Sequence, residues 1–333
     1  MTLDRPGNDD RTAEDPTARE AAIELHVHLE GALTAARALE LARRATDVPP
    51  DAPQGCVVER EGRPRWHFDS LRGFLEAFGW ASRQLRTPTA YVAVLDDLAA
   101  SLRAQRVVGA EVFVAFGQMH RGGIDPAAIV PTLAARAREI EDAGGPAIHF
   151  VADVTRNWGV AAAERALDAA LELQEHRIVG FGMGGIETSY RARDFRRVFR
   201  RAAENGLGLS CHAGEGTSAE SVRETVQELG VRRVGHGIAA ADDERLLREL
   251  RDEQVVLEVC PTSNEKTGVW DPATPHPLLR LLAAGVPMVL GSDDPAYFGC
   301  TLRAEIARVR SWGVDDADLT AMIRRAHRVR FPR

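Results

Sequence analysis

Two histidines stand two residues apart in Glu24-Leu25-His26-Val27-His28-Leu29-Glu30-Gly31. In a strand, side chains at that spacing project to the same face, so both imidazoles point together and Val27 points away. One buried neutral histidine is common; two side by side at a strand end call for an organising partner, such as a cation. His212 ends another apolar run in Ser210-Cys211-His212-Ala213-Gly214-Glu215-Gly216. Cys211, one residue earlier, should face the opposite way. His236 ends a third run in Val234-Gly235-His236-Gly237, where flanking glycines let the backbone approach a ligand. Asp293 and Asp294 follow the last run, and adjacent buried carboxylates repel unless a cation or a donor takes one of them. Three imidazoles and a carboxylate suit a borderline cation, with zinc leading and iron or manganese left open by residue type.

These residues need elements that bring them together. Eight short apolar runs recur along the chain: Ile23–Leu29, Glu111–Phe116, Ala147–Val151, Arg177–Phe181, Gly208–Cys211, Val231–Val234, Val255–Val259 and Val286–Leu290. Several show little alternation, as expected of parallel strands covered on both faces. Apolar residues at helical spacing lie between them, over Ala35–Arg44, Val160–Leu173, Ala192–Asn205, Ser221–Leu229 and Asp243–Arg251. Gly206 and Gly230 fall where helix C-caps belong. The pattern predicts a (β/α)₈ barrel, a TIM barrel, rather than an open doubly wound sheet. The glycine cluster at 180, 182, 184 and 185 follows a strand late in the chain, which makes a dinucleotide-binding reading weak. In a barrel the C-terminal strand ends converge on one face, and His26, His28, His212, His236 and Asp293 all sit at such ends.

The stretch from Met1 to about Glu20 is polar and reads as a flexible tail, followed by a single barrel domain over 21–333. An insertion over about 45–108 separates the first two runs. It opens with Pro49, Pro50, Pro53 and Gly55 and continues with Trp66, His67, Phe68, Phe74, Phe78 and Trp80. It should form a loop and then extra lid helices over the site, unless the aromatics are only packing core.

Of the 333 residues, 44% are apolar and 27% charged, and the net charge of -7 gives no support for a nucleic-acid surface. Lys266 is the single lysine. Cys56, Cys211, Cys260 and Cys300 have no zinc-finger spacing, no signal-peptide pattern opens the chain, and no apolar run is long enough to span a membrane. The simple expectation is a cytoplasmic protein with free thiols. Its partner is then a small molecule; the sequence leaves oligomeric state open.

Six segments together resemble the adenosine deaminase family of metal-dependent purine deaminases. They are ELHVHLEG (24–31), GFGMGGIE (180–187), CHAGEG (211–216), VGHG (234–237), EVCPTSN (258–264) and GSDDPAYFG (291–299), in family order. The resemblance implies one Zn²⁺ held by His26, His28, His212 and Asp293. It implies that Glu215 moves a proton to purine N1 and that His236 orients the attacking water. His28 and Glu30 would line the substrate pocket, Asp294 would contact N7, and the backbone of Gly185 would contact N3. Glu187 matches a family acid whose role is less defined. The chemistry is coherent: attack at C6 needs a nucleophile made strong by a metal, and N1 must be protonated as the new bond forms.

The resemblance implies hydrolytic deamination at C6 of a 6-aminopurine nucleoside, adenosine or a close analogue. Free adenine and 6-aminodeoxyfutalosine are the alternatives. Adenosine deaminases proper carry Asp where this chain has Glu30, and that Asp reaches the sugar. Segments such as EVCPTSN and HPLLRLLAAGVP (276–287) look most like the aminodeoxyfutalosine branch, while DDPAYFG also looks like adenine deaminases. Gly291 stands where the family usually has Asn, and Ile186 where an acid is usual. A more distant reading is an amidohydrolase acting on another C–N bond. A purine-binding sensor without activity would have no need to retain Glu215 beside His212. With one lysine and no Walker-type loop there is no obvious phosphate cradle, although arginines around Arg83, Arg86 and Arg156 could supply one, so nucleotides are a weaker expectation.

Overall fold

The structure is a computed structural model, and it describes residues 16–45 and 51–332. Ten strands are formed among these. They are β1 (Ala22–His28), β2 (Val57–Arg60), β3 (Arg63–Trp66), β4 (Val107–Val114), β5 (Ala147–Thr155), β6 (Ile178–Gly184), β7 (Gly208–Ala213), β8 (Arg233–His236), β9 (Val256–Val259) and β10 (Met288–Leu290). Eight of them form one parallel sheet in the order β1-β4-β5-β6-β7-β8-β9-β10. The ring closes just beyond β10, where Asp293 pairs with Val27 as a parallel bridge. His28 N–H donates to Asp293 O at 2.8 Å and Asp293 N–H donates to His26 O at 2.9 Å. The expected (β/α)₈ barrel is therefore the fold.

All eight expected runs are strands, with shifted ends. β4 begins four residues before the expected run, and β5 and β6 extend to Thr155 and Gly184. Strands β1 and β6 are buried at every residue, as both-face coverage requires. On β1 the outward residues Ile23 and Leu25 pack with Val256, Val289 and Ala326, while Glu24, His26 and His28 face the barrel axis. Gly230 caps its helix at φ +67°, in the conformation that glycine adopts at little cost. The expected helix over Ala192–Asn205 is a 3₁₀ turn (Ala192–Phe195) followed by an α-helix (Arg196–Glu204).

Residues 1–15 of the expected tail lie outside the described residues. Its last part is a helical turn, α1 (Pro16–Arg19), docked on the final helix Asp316–Arg328. Arg303 donates to Thr17 O and Glu20 O at 2.7 Å each, and Arg324 pairs with Glu20 at 2.6 Å. Helix α2 (Ala35–Arg44) matches its expected bounds, with Thr34 as N-cap.

The insertion divides into two parts. One is the hairpin β2-β3 and helix α3 (Leu71–Ser82), capped by Ser70. The other is helix α4 (Pro88–Ala104), capped by Thr87, which packs on β4 and the helix Pro126–Asp142 as a member of the outer ring. The first part carries the aromatics that reach the site, while α4 also touches the turn Glu30–Ala32 after β1. These aromatics are packing core and cover at once. Trp66 stacks on Tyr297 with centroids 4.6 Å apart, and Phe74 packs on Tyr297 and Phe298. Phe78 reaches the His28 ring at 6.4 Å.

Candidate active site

Every histidine singled out in the sequence reaches one point inside the barrel. The ligand-capable atoms of His26, His212, His236 and Asp293 all lie within 4.8 Å of one another, and all four residues are buried. His28 falls in a second group, with Asp293 and Asp294, that shares Asp293 with the first; its Nε2 is 3.3 Å from His212 Nε2 and 3.4 Å from Asp293 Oδ1. His26 Nε2 is 3.5 Å from Asp293 Oδ1. A tetrahedral zinc with bonds of about 2.0–2.1 Å has ligand–ligand edges of roughly 3.3–3.4 Å. The three distances just given among His26, His28, His212 and Asp293 are close to that size. His236 Nε2, within the four-residue group, is 3.8 Å from both Asp293 Oδ2 and Glu215 Oε2.

The chemistry of this donor set calls for a cation. His26 Nε2 is buried without a hydrogen-bond partner, while its Nδ1 meets Glu258 Oε2 at 2.7 Å. His212 presents its Nδ1 to Met183 O at 3.2 Å, which leaves its Nε2 for the centre. Ring nitrogens anchored in this way present the other nitrogen to a metal. Against burial, Asp293 and Glu258 push the pKa of His26 up to about 10, so the carboxylates demand positive charge at this spot. Burial lowers the pKa of His28 and His212 and brings His236 down to about 4, which keeps them neutral and able to donate lone pairs.

Two glycines make room for this cluster. A Cβ on Gly235 would lie 2.8 Å from His26 Cε1, and one on Gly291 would lie 2.6 Å from His26 Cβ. Gly291, where the family usually has Asn, thus faces the His26 side chain with no space to spare. His236 and Asp293 both have φ of 58°, a conformation non-glycine residues seldom adopt. Ile186 is exposed, on the loop after β6.

Glu215 follows β7 on a turn that Glu187 holds in place. Glu187 accepts from Gly214 N (2.8 Å), Glu215 N (3.0 Å), Thr217 Oγ1 (2.7 Å) and Ser221 Oγ (2.7 Å). Burial opposes its charge, yet these donors and Arg156 hold its pKa below the usual value. Glu215 itself is pushed well above the ordinary range by burial, then by Asp293 and Glu187. Asp294 is raised in the same way by burial and by Asp293, and its Oδ1 is buried without a partner. Glu30 is fully buried, and both its oxygens accept from Ala115 N–H, at 3.1 and 3.3 Å. Gly185 has φ +94° and a Cβ there would lie 2.8 Å from Asn157 Oδ1.

A family model described as adenosine deaminase matches residues 22–331. The chain belongs to the adenosine deaminase family. Among curated relatives of this family, it is 33% identical over 301 residues to the adenine deaminase of Chelativorans sp. (strain BNC1), covering 90% of each chain. It is 35% identical over 283 residues to that of Bordetella bronchiseptica, covering 83% of this chain and 85% of the other. The crystal structure of adenine deaminase from Arthrobacter aurescens superposes with a TM-score of 0.83 at 27% identity, over 94% of both chains. Together with the donor cluster, these likenesses make this family member a zinc-dependent deaminase of a 6-aminopurine ring, with one metal site per chain.

Sequence reasoning missed Glu258, Asn264 and Asp153. Glu258 and Asn264 lie in the EVCPTSN segment; Glu258 faces the axis by alternation on β9, and Asn264 Nδ2 is 3.2 Å from His236 Nδ1. Asp153 lies near the end of β5, buried, with Oδ1 unpartnered; period-two alternation along β5 was the available signal. Cys211 does face away, into the packed shell, where burial raises its thiol to about 11. No described helix is long and apolar enough to cross a membrane.

Proposed function

We propose that the substrate is free adenine, hydrolysed at C6 to hypoxanthine and ammonia. The relatives named above are adenine deaminases, which favours the free base over the nucleoside expected from the sequence. The structural observation that carries this reading is Glu30. Where nucleoside deaminases place an Asp that reaches the sugar, this chain has a longer acid turned onto the Ala115 N–H and fully buried. Phe78 also meets the His28 ring edge-on, with centroids 6.4 Å apart.

In this reading His26, His28, His212 and Asp293 hold zinc. When bound, the ion lowers the pKa of a water and polarises it for attack. His236 receives the Asn264 amide on Nδ1, which leaves its proton on Nε2 to orient the attacking oxygen and to stabilise charge there. Glu215, kept protonated by its surroundings, gives its proton to N1. Asp294, also favoured in the acid form, donates to N7, and Gly185 N–H meets N3. N1 keeps its new proton in hypoxanthine; of the two protons of the attacking water, one would pass to the departing amino group, which leaves as ammonia, and the other would restore the acid form of Glu215.

The test is turnover of adenine, adenosine, 2′-deoxyadenosine, AMP and 6-aminodeoxyfutalosine by zinc-loaded protein, followed by the ultraviolet shift to the hypoxanthine chromophore. A kcat/KM for adenine at least tenfold above the others is expected. Preference for adenosine would restore the nucleoside reading, and preference for 6-aminodeoxyfutalosine would select that branch.

A further inference from the structure

We infer that Arg233, Glu111 and Phe331 are positioning residues for the metal ligand His26, acting from the opposite end of the barrel. The inference rests on His26 holding the metal and is independent of which purine is the substrate.

The path is continuous. His26 Nδ1 meets Glu258 Oε2, and the same oxygen accepts from Ser210 Oγ at 3.1 Å. Arg233 Nε donates to Glu258 Oε1, and its Nη1 donates to Glu111 Oε2. Its Nη2 donates to Leu25 O at 3.0 Å, on the strand that carries His26. Glu111 Oε1 then accepts from Phe331 N–H at 2.7 Å. The Phe331 ring lies under the guanidinium, 3.9 Å from Cζ to centroid, and packs against Phe113, Val151 and Val179. Room for the ring exists because positions 208 and 180 are glycine: a Cβ there would lie 2.0 and 2.6 Å from it.

The electrostatics of this path favour a purpose beyond packing. A buried ion pair is seldom worth more to stability than apolar residues of the same volume. Here two carboxylates share one guanidinium, so one negative charge is left, and Glu258 places it against His26 Nδ1. That charge fixes the tautomer with the proton on Nδ1 and makes Nε2 a stronger donor. Glu258 can hold this orientation only while Arg233 fixes its other oxygen. Arg233 in turn is fixed by Glu111 and kept dry by Phe331. The segment after the last helix therefore sets the quality of a ligand at the other end of the barrel.

The test uses the full chain with Phe331→Ala, Phe331→Leu and Glu111→Gln. Zinc affinity is measured by competition with a chromogenic chelator, beside the melting temperature of metal-free protein and KM on zinc-saturated protein. Phe331→Ala and Glu111→Gln should bind zinc about 10- to 100-fold more weakly, the range for lost partners of metal ligands. KM at saturating zinc should be unchanged, and Phe331→Leu, which keeps an apolar plug, should regain most of the affinity. If the variants melt earlier but bind zinc as the parent does, the role is only structural and the inference fails. It fails equally if Phe331→Leu binds as weakly as Phe331→Ala. Absence of adenine turnover in the parent would overturn the proposed substrate and leave the zinc comparison intact.

Discussion

Replacing Glu215 by Gln probes the proton transfer with little change in shape. The side chain is 12% exposed and its Oε2 is 3.8 Å from His236 Nε2, so it stands on the site wall beside the proposed reacting oxygen. Burial and the nearby carboxylates of Asp293 and Glu187 favour its acid form. The acid can both donate a hydrogen bond to N1 and release the proton. Gln can donate the hydrogen bond but cannot release the proton. General acid catalysis contributes about 10²- to 10⁴-fold, or about 3–5.5 kcal/mol in activation free energy. The retained hydrogen bond limits the change in binding to about 1 kcal/mol, so KM should move less than roughly tenfold. The sign with pH follows from the raised pKa. The donor is present below that value and is lost as pH rises through it, so kcat should fall on the alkaline side. In Glu215→Gln that limb should vanish. The assay is adenine loss by absorbance across pH, with zinc content measured on the same samples. A variant with full zinc and kcat within tenfold of the parent would refute the assignment of Glu215 as proton donor.

Two further substitutions test the frame of the site. Gly291→Ala puts a Cβ 2.6 Å from His26 Cβ and 2.9 Å from His26 O, an overpacking that should cost about 1–3 kcal/mol and loosen zinc, read by thermal melts and chelator competition; equal stability and affinity would show that the seam has slack. Glu187→Gln removes the charged acceptor that holds the Glu215 turn, so kcat should fall up to about 100-fold through misplacement, with zinc retained. The folded pKa of Glu187 is depressed, so its stabilisation is present above the unfolded value near 4.5 and is lost as pH falls through the folded one. The stability gap between parent and Glu187→Gln, measured by urea unfolding of chelated protein, should therefore shrink on acidification; a gap that widens would contradict the depressed pKa.

The site is more legible in the sequence than its surroundings, for a physical reason. Metal ligands are restricted to few residue types, and strand-end placement follows from period-two alternation. The spacing of His26 and His28 alone therefore pairs them, whereas the role of Glu215 comes from the resemblance of CHAGEG to its family. The hairpin β2-β3 is not legible. Its strands are four residues each, carry Arg60, Arg63, Pro64 and Arg65, and have half their residues exposed, so no apolar alternation marks them. The local signal is Glu61-Gly62, whose φ values of 53° and 70° suit a two-residue turn of the mirror-image type. Helix α4 reads as lid because it precedes the second barrel strand by chain order alone; its ring position depends on packing against the helix Pro126–Asp142, a contact 22 or more residues away that no local pattern encodes. Glu258 and Asn264 escape notice for a related reason, since a carboxylate or amide that serves a ligand looks like any other polar residue until its partner is placed.

The barrel's closure and its metal site are made by the same residues, and this has a measurable consequence. Seven strand pairs are joined by ladders of at least three partner pairs, but β1 meets its last neighbour through the single bridge of Val27 and Asp293. The two closing hydrogen bonds use the backbones of His26, His28 and Asp293, and Asp293 makes them at φ 58°. A cation joining the side chains of these residues would bind the seam from within, and binding to the native state alone adds about 2.7 kcal/mol when free metal is 100 times the dissociation constant. On chelation the loss should concentrate where the ladder is thinnest. Hydrogen exchange of metal-free protein should therefore quicken at His28 and Asp293 well before it quickens in β5 and β6, whose ladder is among the most extensive in the ring. Equal acceleration around the whole ring would mean that the metal stabilises the barrel globally and that the seam is no weaker than the other joints.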